Sequence, residues 1–183
     1  RCHGVKFVME PAGYDVNPFF NYQESVHGRA VAQGSQKAAV CTDCHNAHDV
    51  RTGKDPKSTI FKFNVPATCG KCHAEQARQF VASVHGKALE RGNWQAPVCT
   101  DCHGIHLIKP HLDPASSVSP QAVALTTCAQ CHEGVRLTQE FGVPSSRVSS
   151  YRGSYHGLAS RIGAKVAANC ASCHGVHNIL PSS

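Results

Sequence analysis

The sequence SVHGKALERGNWQAPVCTDCHGIH, which spans residues 83–106, decides the fold of this chain because its spacing occurs three times. The shared unit is S-x-H-G-x-A-x3-G-x6-C-x2-C-H-x2-H, and its copies begin at Ser25, Ser83 and Ser154. A fixed spacing repeated at this length is the sequence signature of a repeat architecture. We therefore expect each copy to form the same local structure.

A shorter motif precedes each of these units. It is the C-x-x-C-H of Cys69–His73 in front of the second copy and of Cys128–His132 in front of the third. In front of the first copy only its last part is present, as Cys2-His3. The chain is therefore predicted to consist of modules in series, each with two C-x-x-C-H motifs.

The module boundaries follow from Asp-Pro pairs at 55–56 and 113–114, which lie at matching distances after the repeated unit. We predict three modules, over residues 1–55, 56–113 and 114–183. The chain opens inside a motif and stops at Ser183, just before another Asp-Pro pair is due. We therefore expect it to be a fragment of a longer repeat chain.

C-x-x-C-H is the attachment signature of c-type haem, in which two cysteines bond the porphyrin covalently and the histidine binds its iron. Five complete motifs and one partial motif predict about six haems. A disulfide scaffold and zinc cages are the alternatives, but neither explains a histidine directly after every complete motif. At Cys2 the alternative to a truncated motif is attachment through one thioether. The predicted attachment residues are Cys2, Cys41, Cys44, Cys69, Cys72, Cys99, Cys102, Cys128, Cys131, Cys170 and Cys173.

The thirteen histidines divide almost completely between these haems. Each motif supplies one proximal ligand, and six of the remaining seven occur in the repeated unit, in Ser-x-His-Gly or three residues after a motif. Twelve patterned histidines for six irons predict two imidazoles on every iron. The predicted ligands are His3, His45, His73, His103, His132 and His174 as proximal residues, His27, His85 and His156 in Ser-x-His-Gly, and His48, His106 and His177 in Cys-His-x-x-His.

The residues around the distal histidines suggest how they are held. The glycine of Ser-x-His-Gly is expected to let the porphyrin face approach the backbone, and the serine to hold the helix start or the imidazole N–H. The Cys-His-x-x-His ring lies one helical turn from the proximal ring, so it should reach a neighbouring haem. The alternative role for the second histidine of Cys-His-x-x-His is a contact with a haem propionate. His111, outside both patterns, is predicted to be a solvent-facing loop residue.

Composition limits the partners and the core. Aromatic residues are only 7% of the 183 residues, so about six porphyrins are expected to supply most of the buried apolar surface. The formal charge of +6 would suit nucleic acid, but two propionates on each of six haems add about −12. We therefore expect no nucleic-acid partner. Covalent haem attachment takes place outside the cytoplasm, so an extracytoplasmic location is expected.

Secondary structure is predicted to be sparse, and the fold class is mostly irregular with short α-helices, a haem core and little or no β-sheet. Apolar residues spaced by three and four predict helices over 75–91 and 155–168. Each C-x-x-C-H is expected on a short helical turn. The stretches 11–18 and 142–152, which are inserted in the outer repeats, are expected to be surface loops.

The doubled arrangement, with Ser-x-His-Gly ahead of C-x-x-C-H-G-x-H, resembles the repeated-module multihaem c-type cytochromes of bacterial and archaeal respiration. Cys99–His106 and Cys170–His177 match this pattern fully, whereas Asn46 replaces the glycine in the first module. Some of these cytochromes are periplasmic shuttles, and others polymerise outside the cell into haem-lined filaments. The resemblance implies redox proteins, further copies of the chain or a larger membrane-associated respiratory complex as partners.

Electron transfer through closely spaced bis-histidine haems is the function that these patterns favour, as a periplasmic or extracellular conduit or as part of a wire or filament. Two imidazoles leave neither iron face open to a substrate. The alternative is a multihaem reductase of nitrogen or sulfur compounds, which needs one haem with an open face. No catalytic residue is predicted, and the histidine count leaves no iron short of a ligand.

Overall fold

The computed structural model describes residues 2–13 and 15–180, with only the backbone at positions 135 and 136. Arg1 and Ser183, the chain ends on which the expectation of a fragment rests, lie outside these ranges. The predicted fold class is confirmed, because short helices joined by irregular segments make up the described ranges and no strand occurs in them. The α-helices are α1 (Lys6–Met9), α2 (Asn17–Glu24), α3 (Val26–Ala32), α4 (Cys41–His45), α5 (Val65–Gly70), α6 (Ala74–Ala82), α7 (Val84–Glu90), α8 (Cys99–His103), α9 (Pro120–Ala122), α10 (Ala129–His132), α11 (Val135–Phe141), α12 (Ser146–Gly153), α13 (Tyr155–Arg161) and α14 (Cys170–His174).

Tighter and wider helical turns complete the secondary structure. Short 3-10 helices cover Cys2–Gly4, Glu10–Ala12 and Lys62–Asn64, and Val123–Thr127 forms a π-helical turn directly before the motif of Cys128. None of the described helices is long and apolar enough to cross a membrane.

The chain folds into two compact units. The first unit comprises the residues up to Ala74 together with Pro97–Lys109, and the second comprises Glu75–Ala96 together with the residues from Pro110 onwards. These units are defined by contacts, whereas the three modules are defined by sequence repetition. The division into modules therefore stays a prediction.

A helix–serine–helix corner is the element that occurs in all three repeats. The pairs α2–α3, α6–α7 and α12–α13 are each divided by the serine of Ser-x-His-Gly, whose backbone is extended, with ψ between 164° and 168°. The prediction of one helix over 75–91 was therefore wrong. A single extended residue, Ser83, separates α6 from α7.

Two further expectations about helices are corrected. The helix predicted over 155–168 ends at Arg161, because Gly163 adopts a left-handed conformation with φ of 93° and stops it. The stretches predicted as loops contain the start of α2 and most of α12, because each provides the first helix of a corner. The six residues between the repeat glycine and the next motif are irregular, as expected.

The two Asp-Pro junctions form the same turn, one in each unit. The side chain of Asp55 accepts a hydrogen bond from the N–H of Lys57, and that of Asp113 accepts one from Ala115. The serine that follows each pair, Ser58 or Ser116, is buried. Matching turns at matching positions support the alignment of these segments as repeats.

Candidate functional site

The haem motif of each repeated unit is a single short helix. In α4, α8 and α14 the first cysteine begins the helix and the motif histidine ends it. Residues three and four apart lie on one side of a helix, so both thiols and the histidine face one direction. The N-terminus is held by a side chain inside the motif: Asp43 accepts a hydrogen bond from the N–H of Val40, Asp101 from Val98, and Ser172 from Asn169.

The residue after the motif histidine needs a backbone conformation that residues other than glycine rarely adopt. Gly104 has φ of 80° and ψ of 177°, and Gly175 has φ of 81° and ψ of 175°. Asn46, which departs from this pattern, has φ of 63° and ψ of 168°. The glycine of C-x-x-C-H-G-x-H is therefore a conformational requirement, which the first repeat meets with asparagine.

The C-x-x-C-H motif that precedes each repeated unit follows or overlaps a helix end. The N–H of His73 donates to the carbonyl of Cys69 at 2.9 Å, and that of His132 donates to Cys128 at 3.0 Å. These bonds close one helical turn between the first cysteine and the histidine. Sequence and structure thus agree that every complete motif forms a helical turn.

The two motifs of one repeat have adjoining sulfurs. A hydrogen bond with Cys99 lowers the pKa of the Cys69 thiol to about 7, and a hydrogen bond with Cys128 lowers the pKa of Cys170 to about 7. The first of these contacts lies within the first unit and the second lies within the other. Because these sulfurs are the predicted attachment points, two porphyrins of one repeat would have neighbouring edges.

The serine and glycine of Ser-x-His-Gly build the corner that presents the distal histidine. The Ser83 hydroxyl donates to the carbonyl of Phe80 at 2.6 Å and accepts from the N–H of Gly86 at 3.1 Å, so it caps α7. Ser25 and Ser154 make the same two bonds in the other repeats. Of the two roles expected for this serine, the structure shows the one at the helix start.

The glycine of Ser-x-His-Gly has a packing role that the sequence did not indicate. A Cβ atom at Gly86 would lie 2.1 Å from the carbonyl oxygen of Phe80, and one at Gly28 would lie 2.0 Å from that of Tyr22. Gly157 meets the carbonyl of Tyr151 in the same way. The missing side chain therefore makes room for the preceding helix. That it also lets a porphyrin face approach the backbone stays a prediction.

Three histidine pairs face each other inside the two units. The ring centroids of His27 and His73 are 6.2 Å apart, and those of His45 and His106 are 6.0 Å apart, both in the first unit. In the second unit His85 and His132 are 6.1 Å apart. Each pair joins one predicted proximal ligand to one predicted distal ligand.

These separations fit an iron between the two rings. A metal–imidazole bond is about 2.0 Å long, and a five-membered ring with bonds of about 1.33 Å has its nitrogens roughly 1.1 Å from the centroid. Two imidazoles on opposite sides of one iron would therefore have centroids about 6.2 Å apart. All three pairs lie within a few tenths of an ångström of this value.

In each pair the predicted distal ring has a lowered pKa. Burial and the neighbouring His132 lower the pKa of His85 to about 4. Burial, followed by the partner ring, also lowers the pKa of His27 and of His106. A lowered pKa keeps imidazole neutral at neutral pH, and the neutral ring is the form that binds metals.

The remaining predicted ligands differ in exposure. His103 and His177 are half-buried, and the pKa of His132 is lowered by burial and by the neighbouring His174. Four others, His3, His48, His156 and His174, are exposed, as is His111 outside the patterns. The three pairs described contain six of the predicted ligands, and the iron-binding role of all twelve stays a prediction.

Two features of the site escaped the sequence reasoning. The Tyr22 hydroxyl donates to the carbonyl of Ala39 at 2.8 Å, and Tyr151 donates to Ala168 at 3.0 Å, so each ties the corner to the loop before a haem motif. A tyrosine three residues before the repeat serine in two of the three copies was the available signal. The adjoining sulfurs left no signal, because they come from motifs that lie far apart in sequence.

The comparisons with known proteins agree with this description. Residues 29–78 match the family model for the doubled CXXCH motif. No curated protein and no solved structure matches the chain. Doubled C-x-x-C-H motifs indicate covalently bound c-type haem and electron transfer. Together the motifs and this match support a protein similar to the multihaem c-type cytochromes.

Proposed function

We propose that this chain conducts electrons through about six c-type haems, each with two histidine ligands, as an extracytoplasmic conduit. The observation on which the proposal rests is the set of three histidine pairs separated by 6.0–6.2 Å. Bound haem supplies reversible one-electron chemistry at its iron. The residues of the chain determine where that chemistry takes place and which reactions are excluded.

The cysteines and histidines have separate tasks in this proposal. The cysteines of each motif would hold the porphyrin covalently and keep it in place in either redox state. The paired histidines would both bind the iron and so exclude a substrate from it. The adjoining sulfurs Cys69–Cys99 and Cys128–Cys170 would place two haems of one repeat close together, which would favour electron exchange between them.

The wider setting of this function is part of the proposal. We expect redox proteins to donate and accept the electrons, with further copies of the chain or a membrane-associated respiratory complex as larger assemblies. The extracytoplasmic location rests on the chemistry of covalent haem attachment. The exposed apolar residues near the motifs, such as Ile105 and Val176, are expected to pack against porphyrin faces.

Haem counting and electron paramagnetic resonance test the proposal together. The intact mass of the holoprotein should correspond to the chain with about six haems, one for each complete or partial motif. A low-temperature spectrum of the oxidised protein should contain only low-spin ferric signals. A high-spin signal amounting to about one haem would contradict a pure conduit and favour the reductase alternative, which needs an open iron face.

A further inference from the structure

Each unit contains a histidine pair formed by residues at equivalent positions of the repeats. The agreement between the two pairs shows which repeats they join. His27 faces His73, which lies 46 residues further along the chain, and His85 faces His132, which lies 47 residues further along. The interplanar angles are also alike, at 46° and 48°. In both cases a Ser-x-His-Gly histidine meets the first motif of the next repeat.

A main-chain hydrogen bond joins the same two repeats in each case, independently of the histidines. The N–H of Val26, the first residue of α3, donates to the carbonyl of Ile108 at 2.8 Å. The N–H of Val84, the first residue of α7, donates to the carbonyl of Ile179 at 2.9 Å. Each isoleucine lies five residues after the motif histidine in the next repeat. The start of a Ser-x-His-Gly helix is therefore anchored to the repeat that follows it.

The third pair runs in the opposite direction along the chain. His106, from Cys-His-x-x-His of the second repeat, lies near His45 of the first, with ring centroids 6.0 Å apart and an interplanar angle of 7°. The two types of distal histidine thus reach to opposite neighbours.

We infer that successive repeats exchange iron ligands. His27 and His85 are the distal ligands of the haems attached at Cys69–His73 and Cys128–His132, which belong to the following repeat. His106 is the distal ligand of the haem attached at Cys41–His45, which belongs to the preceding repeat. The inference rests on the proposed haem function and adds the identity of the ligand at each of these irons.

Ligand exchange has a structural consequence. No module defined by sequence repetition can complete the coordination of its own haems, because each of these irons draws one histidine from either side of a module boundary. The iron–histidine bonds would then join consecutive repeats in addition to the peptide chain.

The experiment combines a histidine substitution with removal of one haem. His85→Ala in the holoprotein should convert about one haem to high spin, and added imidazole should restore the low-spin signal. Adding Cys128→Ala and Cys131→Ala, which removes the haem at His132, should abolish that high-spin signal. Adding Cys99→Ala and Cys102→Ala instead, which removes the haem of the same repeat as His85, should leave it unchanged.

Persistence of the high-spin signal without the Cys128–Cys131 haem would overturn the inference, as would its loss without the Cys99–Cys102 haem. His27→Ala with Cys69→Ala and Cys72→Ala repeats the test in the other unit, so failure of one variant to fold does not prevent a decision. His106→Ala with Cys41→Ala and Cys44→Ala tests the reverse direction. His111→Ala is the matched control and should change no signal.

The outcome for the unsubstituted protein separates this inference from the proposed function. Fewer haems than motifs, or high-spin haem before any substitution, would contradict the function itself. Entirely low-spin haem in the unsubstituted protein, combined with a different pairing in the variants, would overturn the exchange of ligands alone. Intact masses of all variants confirm which haem has been removed.

Discussion

At the scale of single residues, the glycine after each Ser-x-His-Gly histidine leaves no room for a side chain, because the preceding helix packs directly against it. The corner requires the backbone of α7 to pass the end of α6 so closely that a Cβ at Gly86 would meet the Phe80 carbonyl at 2.1 Å. Backbone atoms cannot move aside as a flexible side chain does. The position of His85, one residue earlier, depends on this corner.

We expect Gly86→Ala to lower the free energy of unfolding of the holoprotein by roughly 1–3 kcal/mol, the usual cost of overpacking. Gly153→Ala is the matched control, because a Cβ there meets nothing within 4 Å. Alanine favours a helix over glycine by about 1 kcal/mol, so the control should be as stable as the parent or slightly more. Guanidinium unfolding, followed by Soret absorbance at equal haem content, measures both. Equal midpoints for Gly86→Ala and the parent would contradict the clash.

Asn46 provides the second prediction at this scale. Its φ of 63° and ψ of 168° lie in a region that only glycine adopts without strain. We expect Asn46→Gly to raise the free energy of unfolding by about 1 kcal/mol. The reciprocal substitution Gly104→Asn, at the equivalent position of the second repeat, should lower it by a similar amount. Unfolding midpoints of the two variants that moved in the same direction would refute this explanation.

At the scale of elements, the tyrosines show how a corner is attached to the loop that leads to its motif. The Tyr151 hydroxyl donates to the carbonyl of Ala168 and also contacts the Ser160 hydroxyl at 3.1 Å. Tyr22 forms the equivalent bond in the first repeat, whereas the second repeat has Phe80 at this position. Two of the three repeats therefore have this bond, and the second repeat lacks the hydroxyl that would form it.

We expect Tyr151→Phe to lower the free energy of unfolding by about 1 kcal/mol, the net value of a typical hydrogen bond. Tyr155→Phe is a control in the same helix pair, because Tyr155 is 83% exposed, and it should change nothing measurable. Thermal melting of the two holoproteins, compared at equal haem content, decides between them. A Tyr155→Phe variant as destabilised as Tyr151→Phe would show that the lost hydroxyl is not specific to this contact.

The serine that divides each corner explains why part of the secondary structure could not be predicted. Residues 75–91 have the apolar spacing of one helix, and nothing in that spacing marks Ser83 as extended. The break depends on the hydroxyl of Ser83, which is fully buried and bonds backbone groups on both sides. Side-chain caps compete with helical hydrogen bonds in this way, and spacing alone cannot show which of them prevails.

At the scale of the whole molecule, the motifs predicted the types of site residue but not their pairing. The cysteine and histidine spacings identify all twelve candidate ligands. Pairing depends on which repeats come together, and a ligand 46 residues from its partner leaves no local pattern. The bonds from Val26 to Ile108 and from Val84 to Ile179 show which repeats come together at two of the pairs. A repeated spacing therefore predicts which residues form the sites of such a chain better than it predicts which histidines pair.

At the scale of the whole molecule, the apolar core of the polypeptide is also small for its length. Among the described residues the buried apolar side chains are few and three of them are alanines; they are Val16, Val65, Leu89, Ala96, Val98, Ala124 and Ala129. The polypeptide exposes 12131 Å², whereas two separate compact units of half its mass would expose about 10,300 Å². Large apolar residues such as Phe7 and Val166 are among those exposed.

We therefore expect the folding of this chain to require its haems, as in other sites where binding energy is folding energy. The chain with every motif cysteine replaced by alanine should give the far-UV circular dichroism of a disordered chain and no cooperative thermal transition. The holoprotein, produced from the unaltered sequence in a host that attaches haem, should be helical and melt cooperatively. A cysteine-free chain with the same helicity and a sharp transition would show that the few buried residues suffice. In that case the porphyrins would occupy a preformed scaffold instead of forming its core.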